Sequence, residues 1–494
     1  MPVGWPFGPS PTERSGSAAS PHSTQTRRRF LAASVAVGAT LAARPAWPYD
    51  ATRITLRAAP GRVRLVPEPW GESDVWCFGG SVPGPEIRVR RGELLRIEVE
   101  NALDEPTTVH WHGLRVPNAM DGVPNVTQPP IEPGARFTYE FTPPDAGTFW
   151  YHPHLRSAEQ VGRGLYGALI VEEEEPPQVD RDIVWVLDDW RLTPEATIAG
   201  AFDDFHDASH AGRLGNTVTI NGRVPEEFAL QPNERIRFRL INAANARIFR
   251  LDFGSLAPRI VALDGQPVEP HEPPEGRLTL GPAMRADLIL DATGASGERV
   301  DIVDDFILRE PYRLVTLVHN GEPLRHSPPD WPIRLGTNDL PEPDIDAARR
   351  HSVLFTGGMM GAMIERQMGL ASGGDMSGMM RGTRGAGVWL VNGAAAEGHL
   401  LEPMLTLERD RPHLISMTNA TAFHHPIHIH GHSFRVIRRN GTPTAYREWR
   451  DTVLMAPRDV VEIAFVADNP GDWMFHCHIL EHQSAGMMGF IRIA

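Results

Sequence analysis

One pattern occurs three times along the 494-residue chain and limits what it can fold into. Residues 78–103 (FGGSVPGPEIRVRRGELLRIEVENAL), 220–245 (INGRVPEEFALQPNERIRFRLINAAN) and 391–422 (VNGAAAEGHLLEPMLTLERDRPHLISMTNATA) each run from a Gly turn through alternating apolar residues to Asn-Ala. Period-two alternation between Gly, Pro and Asn clusters specifies half-buried strands, and no long stretch carries helical periodicity. The expected fold class is therefore all-β, as three related sandwich or barrel domains. Linkers are expected at EEEEPPQV (172–179) and in the Pro- and Asp-rich stretch 330–350, which sets the domains at 47–174, 175–335 and 336–494.

Residues 1–46 read as an export address. Thr26-Arg27-Arg28-Arg29-Phe30-Leu31 precedes an apolar run, Leu31 to Ala43, that is too short to span a bilayer and is followed by small residues suited to cleavage. The segment resembles a twin-arginine signal, so the Tat export machinery is an expected partner and the mature protein is expected in the periplasm or outside the cell, without a stable membrane anchor. A net charge of -14 argues against nucleic acid as a partner. Two cysteines, Cys77 and Cys477, are too few for a disulfide framework.

The first and third repeats differ from the second in their histidines. His110 follows Asn101 by nine residues and His428 follows Asn419 by nine, whereas Leu251 stands nine after Asn242, with Phe253 in the place of the next histidine. Four His-x-His pairs result: His110/His112, His152/His154, His428/His430 and His476/His478. Residues i and i+2 of a strand share a face roughly 7 Å apart, so each pair can offer one imidazole to each of two neighbouring ions. Eight imidazoles suit a cluster of about three metal ions, each taking two or three nitrogens. Zinc sites, the competing choice, use three or four ligands around one ion.

Cys477 lies between His476 and His478 and so faces the other side of its strand, where His425, His482 and Met487 are candidate partners. Two His, a thiolate and a weak axial Met make the trigonal site of blue-copper electron transfer. The first repeat offers a control, because Thr107, Pro153, Ala158 and Leu165 occupy the corresponding positions and none is a ligand. An electron arriving at such a site would leave through the Cys477 sulfur to His476 or His478. One ion plus three can hold the four electrons that take dioxygen to two waters.

From about residue 50 to its end the chain resembles the three-domain multicopper oxidases, a family that includes laccases and bacterial copper-efflux oxidases, through HWHG, HPH, HPIHIHGH and HCHILEHQSAGM. The resemblance implies three cupredoxin-like Greek-key domains and four copper ions. It implies that His425, Cys477, His482 and Met487 hold type 1 copper, His110 and His428 type 2, and His112, His152, His154, His430, His476 and His478 the type 3 pair. Asp121, in VPNAMDGVP, matches an acidic position expected to feed protons to oxygen, so Asp121 and Cys477 are the expected catalytic residues. Gln483 departs from relatives that carry Glu directly after the counterpart of His482, and a glutamine cannot relay protons in the same way.

For the reductant, residues 357–382 hold seven of the 16 methionines among eight glycines, which predicts a mobile loop of soft ligands suited to Cu(I). A cuprous oxidase with a role in copper tolerance is the favoured expectation and a laccase-like phenol oxidase the alternative. A copper-free cell-division or export scaffold is set against by the complete ligand set. A monomer is expected.

Overall fold

The computed structural model describes residues 51–331, 333–370, 388–396 and 402–494. The expected signal, 1–46, lies outside the described residues, as does 371–382 of the methionine-rich stretch. Among the described residues no helix is long and apolar enough to cross a membrane.

Among the described residues strands dominate, and they form six sheets. One pairing recurs three times: Thr52–Val63 lies parallel to Leu95–Asn101, Arg181–Trp190 to Arg235–Asn242, and Arg349–Gly357 to Pro412–Asn419. Each sandwich encloses its own apolar cluster, built around Leu56, Trp111 and Phe149 in the first, Trp185, Phe238 and Leu288 in the second, and Phe355, Ile427 and Phe475 in the third.

The Asn that ends each repeat has a common structural task. Its side-chain amide donates to main-chain carbonyls, those of Glu105 and Ile131 for Asn101, Arg247 and Leu280 for Asn242, and Phe423, Ala456 and, at 3.4 Å, Met455 for Asn419. Its oxygen accepts the amide N–H two residues on, at Leu103, Ala244 and Thr421. A buried turn thereby has its polar groups satisfied. The same turn fixes the approach to the next strand, which carries His110 in the first domain and His428 in the third.

Two expectations need correction. Arg235–Asn242 (RIRFRLIN) alternates as a half-buried strand should, yet all eight residues are buried. Its arginines face the neighbouring domain and the linker, where Arg239 pairs with Asp182 and bonds Thr148, and Arg237 pairs with Asp287 and Glu173. The predicted loop 357–382 contains a helix, Gly361–Gln367, whose Ile364 packs inward. Glycine content signalled chain breaks there, but one buried apolar contact holds a short helix between them.

Gly147 and Gly471 each begin the strand that leads to the second histidine pair of their domain. Both have positive φ, 152° and 133°, and a Cβ would stand 2.2 Å from Gly265 O in one case and 2.5 Å from the Asn118 side chain in the other. These are the places where sandwiches touch, and only glycine lets the backbones approach so closely.

Candidate metal centres

The four histidine pairs converge between the first and third sandwiches. His110–His112 pairs antiparallel with Gly147–His152, matching His110 to His152, and His425–Ile429 pairs with Gly471–Cys477, matching His428 to His476. His154, His430 and His478 follow just beyond the strand ends. All eight rings are buried, His154 being the most accessible at 7%. The two domains cross over at the centre: His110 stacks on His430 and His112 on His428, each with ring centroids 3.8 Å apart.

Two triads separate from the eight. His152 and His478 approach Nε2 to Nε2 at 3.4 Å with the His112 ring 5.0 Å from His478, while His430 and His476 approach at 3.1 Å with the His154 ring 4.7 Å from His430. His110 and His428 remain as a symmetric pair. Nitrogens facing each other this closely cannot both carry protons, and burial holds the imidazoles of His112, His152, His154, His428, His430, His476 and His478 below their ordinary pKa. Five buried ring nitrogens, His110 Nε2, His112 Nδ1, His154 Nε2, His428 Nε2 and His478 Nδ1, have no hydrogen-bond partner among the described residues. Neutral, unpartnered imidazoles converging on one space are what a bound cluster of borderline-soft cations requires, so the residues fit copper.

Two aspartates brace the cluster by the same crossover. The main-chain carbonyl of Asp121 accepts from His110 Nδ1 at 2.8 Å, and its carboxylate bonds His430 Nδ1, in the other domain, at 2.8 Å. The Asp451 carbonyl accepts from His428 Nδ1 at 2.8 Å, and its carboxylate lies 3.2 Å from His112 Nε2. Such contacts fix tautomer and ring direction, leaving His112 to present Nδ1 inward. The pair is unequal, because Arg285 of the middle sandwich grips Asp451 with two bonds of 2.7 and 2.6 Å and holds its carboxyl well below the usual range. Sequence reading missed Asp451. The available signal was symmetry, since each aspartate lies between the two histidine pairs of its domain.

Gln483 touches the cluster from outside, its Nε2 3.4 Å from His154 Nδ1. Both line a cavity of about 360 Å³ walled by Val123, Val126, Met474 and Phe490.

On the far face of the strand Gly471–Cys477, Cys477 Sγ lies 3.5 Å from His425 Nδ1 and 3.8 Å from His482 Nδ1, and those nitrogens lie 3.1 Å apart. All three are fully buried, Met487 is buried in the same apolar cluster, and the Met487 carbonyl accepts the Cys477 amide. Burial pushes the Cys477 thiol up and His482 down to about 3, so a thiolate here needs a cation beside it and the imidazole lone pair is free for one. The first domain offers nothing comparable, since Thr107 Oγ1 donates to Gln160 while Ala158 and Leu165 are buried apolar residues.

The helix that carries His482, Leu480–Ser484, is clamped from the middle sandwich. Glu481 accepts from Asn245 Nδ2 at 2.8 Å and from the Arg213 amide at 3.1 Å, and the Leu480 amide donates to the Asn245 carbonyl.

Known proteins match this chain along almost its whole length. Three family profiles, each described as multicopper oxidase, match residues 63–176, 181–299 and 374–494. Multicopper oxidase MmcO of Mycobacterium tuberculosis is 30% identical over 94% of this chain and 95% of its own length, and Laccase-2 of Fomitopsis schrenkii is 30% identical over 86% and 87%. The crystal structure of a multi-copper oxidase from Pseudomonas thermotolerans superposes with a TM-score of 0.78 at 34% identity, covering 90% of this chain and 99% of that one. With these matches, and with buried imidazoles gathered between its first and third sandwiches, the chain belongs to the multicopper oxidase family of copper-dependent oxidoreductases.

Proposed function

We propose that this enzyme couples one-electron oxidation of a reductant, with Cu(I) favoured, to the four-electron reduction of dioxygen to water, and that it serves copper tolerance after export through the twin-arginine route to the periplasm or beyond. One observation carries the oxidase reading: two buried ligand sets lie back to back at the end of one strand, with Cys477 in one and its neighbours His476 and His478 in the other. His425, Cys477, His482 and Met487 would hold type 1 copper, His110 and His428 type 2, and the two triads His112/His152/His478 and His154/His430/His476 the type 3 pair. When bound, copper supplies the one-electron steps and the binding of oxygen. The protein's part is to present neutral imidazoles, to keep the His430 ring directed through Asp121, and to join the two sets by the few covalent bonds between the Cys477 sulfur and its neighbours. Asp121, hydrogen-bonded to His430, would supply protons to the cluster.

Cu(I) is favoured because Met359, Met360 and Met363 are 44%, 51% and 46% exposed at the helix Gly361–Gln367, an unusual display of soft thioethers. The laccase reading is supported by relatives bearing that name. Replacing the three methionines by serine separates the two. A cuprous oxidase should show KM for Cu(I) raised about tenfold with phenol oxidation unaffected. An equal loss of both activities would favour the laccase reading.

A further inference from the structure

The proposed type 1 set has a cover that comes from the middle sandwich. A short helix, Phe205–Ser209, is followed by His210, and its last carbonyls are taken one after another by the third domain. Ala208 O accepts from Trp389 Nε1 at 2.7 Å, Ser209 O from the Met359 amide at 3.0 Å, and His210 O from His482 Nε2 at 2.6 Å. Carbonyls that a helix end leaves unpaired are thus each given a donor, so the seating is built into the fold. The other imidazole is closed too, with His425 Nε2 paired to Thr421 Oγ1 at 2.8 Å. Both rings have 0% exposure, and the Trp389 ring stands 4.3 Å from His482. A donor in solution therefore cannot touch either imidazole edge in this conformation.

The outer side of the cover is equipped to receive one. The His206 and His210 rings are stacked with centroids 4.0 Å apart and planes 12° from parallel. His206 is exposed, and Phe205 beside it is 67% exposed. Met359, whose amide binds the Ser209 carbonyl, is bonded to the same end of the helix and is itself 44% exposed. Imidazole and thioether together suit a soft monovalent cation.

We propose that Phe205–His210 is the electron inlet of the enzyme: Cu(I) docks on the His206–His210 stack, and its electron reaches His482 through the main-chain carbonyl of His210 rather than by direct contact with a type 1 imidazole. This rests on the assignment of His482 to type 1 copper. One electron moves, the substrate ion ends as Cu(II) and the type 1 site ends one electron richer. No covalent bond breaks and no proton is transferred. The ligand-free middle domain in this way supplies the surface at which substrate is oxidised.

The test uses the copper-loaded full chain with His206→Ala, His206→Met and the double variant His206→Ala/His210→Ala. Two quantities are read: anaerobic bleaching of the blue band by Cu(I) supplied in acetonitrile, and calorimetric binding of Ag(I), a redox-inert substitute. His206→Ala should slow bleaching and weaken Ag(I) binding about tenfold each, and His206→Met, which restores a soft ligand, should recover most of both. The blue band and type 1 potential should keep their wild-type values in all three, since the His210 main chain is untouched. Unchanged bleaching and Ag(I) affinity in the double variant, with blue band and potential intact, would overturn the inlet. A wild-type protein that binds copper without a blue band would instead refute the type 1 assignment.

Discussion

Arg285→Met removes a guanidinium from a place where all three sandwiches meet. Arg285 has 0% exposure and makes two charge-assisted bonds to Asp451, with further bonds to the carbonyls of Thr148 in the first sandwich and Ala283. Methionine fills much of the space left by the stem but leaves the Asp451 carboxylate buried. Breaking a buried pair from one side costs about 3–5 kcal/mol. Asp451 keeps Thr452 Oγ1 at 2.8 Å and His112 Nε2 at 3.2 Å, which places the expected loss at the low end, about 3 kcal/mol. The sign with pH follows from the direction of the shift. In the wild type the Asp451 pKa is depressed, so its contribution is present above the ordinary carboxyl value and lost only as pH falls through the lowered one. Without Arg285, burial raises the same group, and stability then falls as pH climbs above about 4. The deficit should therefore be smaller near pH 4 than at pH 7, where the added penalty of the unpaired carboxylate is fully developed. Urea unfolding of the copper-free protein at both pH values, followed by tryptophan fluorescence, measures it, and adding Asp451→Asn should recover most of the loss. A deficit below about 1 kcal/mol at pH 7, a deficit that ignores pH, or no recovery in the double variant would refute the account.

Cys477→Ser should abolish the blue absorption and the oxidase activity while leaving the fold and most of the cluster copper, because a serine hydroxyl is a hard, weakly acidic ligand; absorption spectra and metal analysis of one preparation check this, and retained turnover would reject the assignment. Replacing Arg27 and Arg28 by lysine should trap the precursor in the cytoplasm, which cell fractionation reads directly; normal export would point to another route.

The repeat was legible in the sequence because its signals are local. Alternation and a terminal Asn survive in every copy, and the missing ligands at Leu251 and Phe253 already separated the middle domain from its neighbours. The histidine pairs were legible because a spacing of two has one geometric meaning on a strand, as at His110–His112, and the other three pairs each begin on a strand and close just past its end. What stayed hidden depends on separation along the chain. Arg285 and Asp451 are 166 residues apart, Asn245 and Glu481 236, and His210 and His482 272, and no pattern within any repeat announces those contacts. The arginines of RIRFRLIN were illegible for the same reason. Alternating charge marks the outward face of a strand, and only the neighbouring domain turns that face into an interior. Among the methionines, periodicity was too short to reveal a seven-residue helix.

The clamps made by Arg285, Asn245 and His210 bear on how small such an enzyme can be made. A shortened chain joining the first and third sandwiches directly would retain all twelve proposed ligands, His110 through Met487, yet Asp451 would face an empty space, the His482 helix would lose its anchor and the distal nitrogen of His482 would open to water. Miniaturisation would thus need three new outer contacts before any ligand was altered. The converse is a freedom for redesign, because the middle domain's own apolar cluster includes none of the proposed ligands, and its core could be rebuilt while these three side chains and their backbone stay in place.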